Sequence, residues 1–137
     1  MRIILAFAAA SLLLLSCGES DSFSFTLVNH DDDLTLDGGD NLFFIEMESG
    51  SRSLDPTRLN VTLQEPGEDR FQMNHVLDTD TEDDGLFGPG DRLLVREPGV
   101  SFVGPEAEGT SFQVELSEED EDNPTFVTRL WTGTWEP

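Results

Sequence analysis

The clearest pattern in the chain is a pair of strand-like segments joined by a turn: Thr57-Arg-Leu-Asn-Val-Thr-Leu-Gln64, Glu65-Pro-Gly-Glu-Asp69 and Arg70-Phe-Gln-Met-Asn-His-Val-Leu77. In the first segment Leu59, Val61 and Leu63 alternate with polar residues, which is the period of a strand with one buried face. Pro66 and Gly67 stand near the centre of the turn. The pattern therefore predicts two strands that pair antiparallel.

Similar segments lie on both sides of this pair. After residue 22 no apolar stripe at helical spacing runs for three turns, and Gly or Pro recurs at short intervals. Seven to nine short strands with turn signals predict an all-β domain at 23–137, a single antiparallel, immunoglobulin-like β-sandwich that follows an N-terminal signal helix. The further predicted strands are 23–28, 34–36, 41–47, 91–97, 100–103, 110–117 and 125–135. The stretch Ile45 to Leu63, followed later by Gly90-Asp-Arg-Leu-Leu-Val95, resembles the exported sandwich domain of archaeal type IV pilins, which implies a fold and no function.

The first seventeen residues have the form of an export signal. Arg2 precedes an apolar run of 13 residues, 3–15, and Ser16 and Cys17 follow it. As a helix the run would span ~20 Å at ~1.5 Å per residue, which is less than the ~30 Å of a bilayer's hydrocarbon core. A secretory signal therefore fits better than a transmembrane span.

The end of that segment, Leu14-Leu15-Ser16-Cys17, resembles the lipobox of bacterial lipoproteins. The resemblance implies that residues 1–16 are removed, that Cys17 carries diacylglycerol and an acylated amino group, and that 17–22 form a short tether. Membrane attachment would then be through this covalent lipid. Gly18 stands where Asp retains lipoproteins in the inner membrane, which favours the outer membrane of the cell envelope. Cleavage at a small-residue site such as Ala8-Ala9-Ala10, which leaves a free Cys, is the alternative.

Composition excludes several partners. The chain has 29 Asp and Glu against 7 Arg and Lys, for a net charge of −22. Nucleic-acid binding is excluded, because it requires basic residues that replace phosphate counterions, and charge alone would not adsorb the chain to anionic lipid. Solubility, a saline habitat and divalent-cation binding all fit this charge. Lipid on Cys17, the one Cys, would leave no thiol for a disulfide.

One acidic segment resembles the twelve-residue calcium loop of EF-hands and dockerins: Asp80-Thr-Glu82-Asp-Asp84-Gly85-Leu86-Phe87-Gly88-Pro89-Gly90-Asp91. The resemblance implies that Ca²⁺ would be held by side-chain oxygens of Asp80, Glu82, Asp84 and Asp91 and by the carbonyl of Leu86. Glu82 is longer and Asp91 shorter than the residues usual at those positions, and Gly88-Pro89-Gly90 breaks the helix that would follow. A solvated acidic turn between strands is the alternative.

Two tryptophans alternate near the end of the chain. Trp131 and Trp135 fall on one face of a strand, where an exposed pair would stack on a sugar or peptide. The alternative is that Trp131 caps the core and Trp135 packs at the edge of the sandwich. The chain has two His and no Gly-x-Ser-x-Gly motif, so an enzyme is not predicted.

Together these observations predict an acidic envelope lipoprotein with a non-catalytic binding or structural role and stabilisation by calcium. A carbohydrate- or peptide-binding surface module is the second interpretation, and a hydrolytic enzyme is the third. The sequence indicates no particular envelope protein or glycan as the partner.

Overall fold

The computed structural model describes residues 21–137, so the predicted signal at 1–16 and Cys17 lie outside the described residues. This part of the chain is all-β, as predicted, with seven antiparallel strands. They are β1 (Phe23–Asn29), β2 (Asn41–Gly50), β3 (Leu59–Gln64), β4 (Arg70–Thr79), β5 (Arg92–Arg96), β6 (Phe112–Glu119) and β7 (Val127–Trp135). Two 3₁₀ turns, Pro56–Arg58 and Pro105–Ala107, interrupt the connections.

Two short predicted strands, 34–36 and 100–103, are wrong: both segments are irregular. Carboxylates take the backbone donors that a strand would offer to its neighbour. The Thr35 N–H donates to Asp40 at 2.6 Å, and the N–H groups of Phe102 and Val103 donate to Glu97 at 2.6 and 2.9 Å. Local side-chain acceptors compete with strand pairing in this way.

The seven strands form one sheet in the order β1-β2-β5-β4-β3-β6-β7. The central strands β3, β4 and β5 follow one another in the chain, while β2 and β6 arrive by long connections on either side, as in overlapping Greek keys. The strand β4 joins the two halves, because residues 70–73 pair with β3 and residues 74–79 pair with β5. The predicted hairpin of β3 and β4 is confirmed.

The sheet curls until its edge strands meet, so that it is nearly a barrel. The rings of Phe25 in β1 and Trp131 in β7 lie 6.0 Å apart, and the Trp135 indole N–H donates to the Asn29 side chain at 2.7 Å. The two edges therefore run in the same direction. They place Asp21 and the β6–β7 turn at one end of the barrel, together with the loops at 51–58 and 80–91; we call this the N-terminal end. The far end carries the loops at 30–40, 65–69 and 97–111.

The core fills the interior of this curled sheet. The β3 residues Leu59, Val61 and Leu63 are all buried, as their alternation predicts. In β2 the side chains of Phe43, Ile45 and Met47 point into the core.

Residue Phe44, on the outer face of β2, is shielded instead by Arg92, whose guanidinium carbon lies 4.7 Å from the ring centroid. Arg92 also donates to Glu46 at 2.7 Å. Both faces of β2 are thus covered, as its apolar sequence predicts for a central strand.

Replacing Leu63 by Ala should lower the free energy of unfolding by about 2–5 kcal/mol, because it leaves a cavity among residues that cannot fully collapse. Leu63 is 0% exposed, whereas Leu36 at the far end is 77% exposed. The same change at Leu36 should stay within about 0.5 kcal/mol. Equilibrium urea unfolding measures both, and equal effects would contradict the assigned core.

Candidate functional site

The acidic loop at 80–91 connects β4 to β5 at the N-terminal end. Its apolar residue Phe87 pairs with Leu54 through two backbone hydrogen bonds of 2.8 Å, and both side chains are fully buried. This pairing fixes the second half of the loop against the segment that follows β2. The exposed carboxylates of Glu82, Asp83 and Asp84 lie in its first half.

The last residue of the loop, Asp91, is buried with 2% exposure. One carboxylate oxygen accepts from the Thr81 N–H at 2.7 Å and the Thr81 hydroxyl at 2.8 Å, and the other accepts from the Gly88 N–H at 2.9 Å. Burial raises the pKa of Asp91, but these three hydrogen bonds together outweigh burial and hold the pKa below its ordinary value. Asp91 therefore fastens both ends of the loop from inside.

Two of the other predicted calcium ligands, Asp80 and Asp84, also accept hydrogen bonds within the loop. The Asp80 carboxylate accepts from the N–H groups of Gly85 at 2.7 Å and Asp84 at 3.3 Å, and Asp84 accepts from the Leu86 N–H at 3.0 Å. Gly85 has φ +74, as the predicted sharp turn requires.

Asp80, Glu82, Asp84 and Asp91 form no metal-ligand group in the described structure. Within residues 21–137 no three His, Cys, Asp or Glu side chains lie together as a metal-ligand group. Asp91 differs from Glu82 and Asp84 in being buried, and both of its oxygens already accept hydrogen bonds within the loop. Calcium binding stays a prediction.

Two further carboxylates are buried, and sequence reasoning missed both. Glu97 is 2% exposed and accepts from the N–H groups of Asp40, Phe102 and Val103 at 3.3, 2.6 and 2.9 Å. Glu118 is 7% exposed although it begins a run of acidic residues. The predicted strand ended at residue 117, whereas β6 continues to Glu119. If the alternation of the strand is continued by one residue, Glu118 falls on the buried face.

A charged cluster joins Glu118 to the beginning of the domain. Arg52 donates to the two oxygens of Glu118 at 2.6 and 3.0 Å and to Asp21 at 2.8 Å, while Arg58 approaches Glu118 at 3.6 Å. The hydrogen bonds to Glu118 raise the pKa of Arg52, and the hydrogen bond from Arg52 lowers the pKa of Asp21. Bidentate geometry of this kind is the strong form of an arginine–carboxylate pair.

The two tryptophans share an inward face and form no exposed pair. Trp135 is 2% exposed, with ring centroids 5.1 Å from Phe43 and 5.4 Å from Phe112. Trp131 is half-buried against Phe25 and covers Gly133, where a Cβ would come within 2.4 Å of the indole. Trp131 thus caps the core, as in the alternative, whereas Trp135 lies inside the core and does not pack at an edge.

No protein-family model matches this chain, and the comparisons found no similar curated protein or solved structure. Among residues 21–137 there is no helix with the length and apolar character needed to cross a membrane.

Replacing Asp91 by Asn should destabilise the domain by about 1–3 kcal/mol, because an amide cannot accept all three hydrogen bonds and leaves a buried donor unpaired. Asp83→Asn is the matched control, since Asp83 is exposed and has φ 53, a conformation that Asn tolerates. Urea unfolding at pH 7 should show a clear loss for the first variant alone. Equal losses would contradict the fastening role.

The difference between the wild type and Asp91→Asn should depend on pH. The folded pKa of Asp91 is lowered, so its contribution is complete above the unfolded pKa of about 4 and is lost as the pH falls through the folded value. Urea unfolding of both proteins between pH 7 and pH 2.5 should show the two stabilities converging below about pH 4. A difference that grows in acid would contradict the sign of the shift.

Proposed function

We propose that this protein is an acidic envelope lipoprotein with a non-catalytic binding or structural role, held at a membrane by lipid on Cys17. The observation that carries the proposal is the match of Leu14-Leu15-Ser16-Cys17 to the lipobox, directly before a folded domain whose first strand begins at Phe23. Two or more acyl chains on one residue would anchor the domain stably, which a single myristoyl-length chain does not.

Hydrogen bonds hold the first described residues, Asp21 and Ser22, against the loop that follows β2. Fewer residues are therefore left to act as a tether. Asp21 is bound by Arg52, and Ser22 and Ser51 exchange hydrogen bonds of 3.0 and 3.1 Å. Cys17 lies four residues before Asp21, so at most ~14 Å of extended chain separates them at ~3.5 Å per residue. The N-terminal end of the barrel would therefore face the bilayer at close range.

Each of the two histidines contacts backbone of its own domain through one ring nitrogen. The His75 Nε2 lies 2.8 Å from the Pro56 carbonyl, and the His30 Nδ1 accepts from the Asp32 N–H at 3.0 Å. Each ring is thus engaged with backbone of its own domain.

Replacing Cys17 by Ser should abolish lipid attachment while leaving the fold intact, because residue 17 precedes the domain. Expressed with its own leader in a bacterial host, the wild type should incorporate labelled palmitate and enter the detergent phase on Triton X-114 partition. Ser20→Ala is the matched control and should behave as wild type. A wild-type protein that stays in the aqueous phase with an unmodified thiol would refute the proposal.

We also propose that any calcium stabilisation comes from Asp80, Glu82 and Asp84 and not from Asp91. The exposure of Glu82 and Asp84 supports this narrower form, since an ion can reach them without opening the buried hydrogen bonds of Asp91. Asp80 would have to exchange its bonds to the loop backbone for the ion.

Calcium at a hundred times its dissociation constant should stabilise the protein by about 2.7 kcal/mol. Thermal unfolding with calcium titrated at fixed ionic strength measures this, with magnesium and sodium as controls. The double variant Asp80→Ala, Asp84→Ala should lose the shift, and Asp37→Ala at the far end should keep it. An equal response to every salt would mean charge screening and no site.

A further inference from the structure

Two large apolar side chains are exposed on the turn between β6 and β7. Phe126 is 67% exposed and Val127 is 53% exposed. Two backbone hydrogen bonds close the turn: the Asp120 N–H donates to the Phe126 carbonyl at 2.8 Å and the Phe126 N–H donates to the Asn123 carbonyl at 2.9 Å. The fold thus presents both side chains to solvent from a fixed backbone.

This turn lies at the N-terminal end of the barrel. The contacts of Phe25 with Trp131 and of Asn29 with Trp135 show that β1 and β7 run side by side in the same direction. Followed back toward their starts, the two strands lead to Asp21 and to Val127. The exposed apolar pair and the point where the tether enters the domain are therefore at the same end.

An arginine stands beside the pair. Arg129 is exposed, two residues beyond Val127 on the same strand. Among residues 21–137 none of the ion pairs involves Arg129, whereas Arg52, Arg58, Arg70 and Arg92 all have acidic partners. Its guanidinium is thus free, within the described chain, to meet an anion from outside.

We infer that Phe126, Val127 and Arg129, the tip, contact the surface of the bilayer that holds Cys17. The inference rests on the proposed lipid anchor, which keeps Asp21, at this same end, within ~14 Å of the lipid-bearing residue. The apolar side chains would enter the boundary between headgroups and acyl chains, and the guanidinium would pair with a lipid phosphate. The tip would then orient a domain that the lipid alone leaves free to rotate.

The charged residues around the tip favour a bilayer with zwitterionic headgroups over one with anionic headgroups. Asp120, Glu121 and Asp122 are exposed on the same turn and would be repelled by anionic lipid. A surface rich in zwitterionic headgroups offers phosphates to Arg129 without that net repulsion. The partner is therefore a zwitterionic lipid surface.

The experiment places a spin label at the tip of the lipidated full-length protein. In that protein lipid blocks Cys17, so Phe126→Cys and, separately, Val127→Cys each provide one free thiol. Leu36→Cys, on an exposed apolar residue of the far end, is the matched control. Each labelled protein is reconstituted into phosphatidylcholine vesicles after mass spectrometry has shown whether Cys17 carries lipid.

Collision with oxygen, which concentrates in lipid, is compared with collision with a water-soluble nickel chelate. The labels at 126 and 127 should be reached more readily by oxygen, and the label at 36 by nickel. Tip labels as accessible to nickel as the label at 36, with Cys17 lipidated, would overturn this inference alone. Tip labels shielded from both reagents would mean contact with a second copy and would also overturn it. Without lipid on Cys17, the proposed function fails and the inference with it.

Discussion

A carboxylate inside a protein must be met by donors, and this constraint organises the ends of the barrel. Three buried carboxylates each accept hydrogen bonds from a loop. Asp91 accepts from Thr81 and Gly88 of its own loop, Glu97 accepts from backbone of the far-end loops, and Glu118 accepts from Arg52. Because the chain has no Lys and few Arg, two of the three are matched by backbone N–H groups. The sheet supplies the core, and these acceptors fix the loops that cross its two openings.

The same constraint explains why the acidic loop is fastened from within in the described structure. Asp80 and Asp91 accept from backbone N–H groups of their own loop, so the repulsion among neighbouring carboxylates is reduced without a cation. A calcium ion would compete with these donors for Asp80 and with the Leu86 N–H for Asp84, whereas Glu82 is exposed to solvent. Any ion at this loop would therefore have to offset hydrogen bonds that are already made.

The alternation of apolar residues predicted which side chains are buried, but it did not predict which strands lie beside one another in the sheet. The alternation of Leu59, Val61 and Leu63 located β3, but it carries no information that β6 and not β2 lies beside it. The segments 34–36 and 100–103 have strand-like alternation. Their backbone N–H groups, however, donate to the carboxylates of Asp40 and Glu97 and not to a neighbouring strand. In the loop, spacing alone could not distinguish a metal ligand at Asp91 from an internal acceptor, because the distinction depends on the backbone that surrounds it.

The negative charge of this chain opposes attachment to an anionic membrane. A net charge of −22 keeps a domain soluble but repels it from anionic lipid, so attachment to a membrane requires a force other than charge. A covalent lipid would supply that force at one point, and a single point leaves orientation undefined. The fold brings Phe126 and Val127 to the end where Asp21 leads into β1, beside an arginine with no acidic partner in residues 21–137. If these three residues rest on the bilayer, the far-end loops face away from it, and partners would meet that end first.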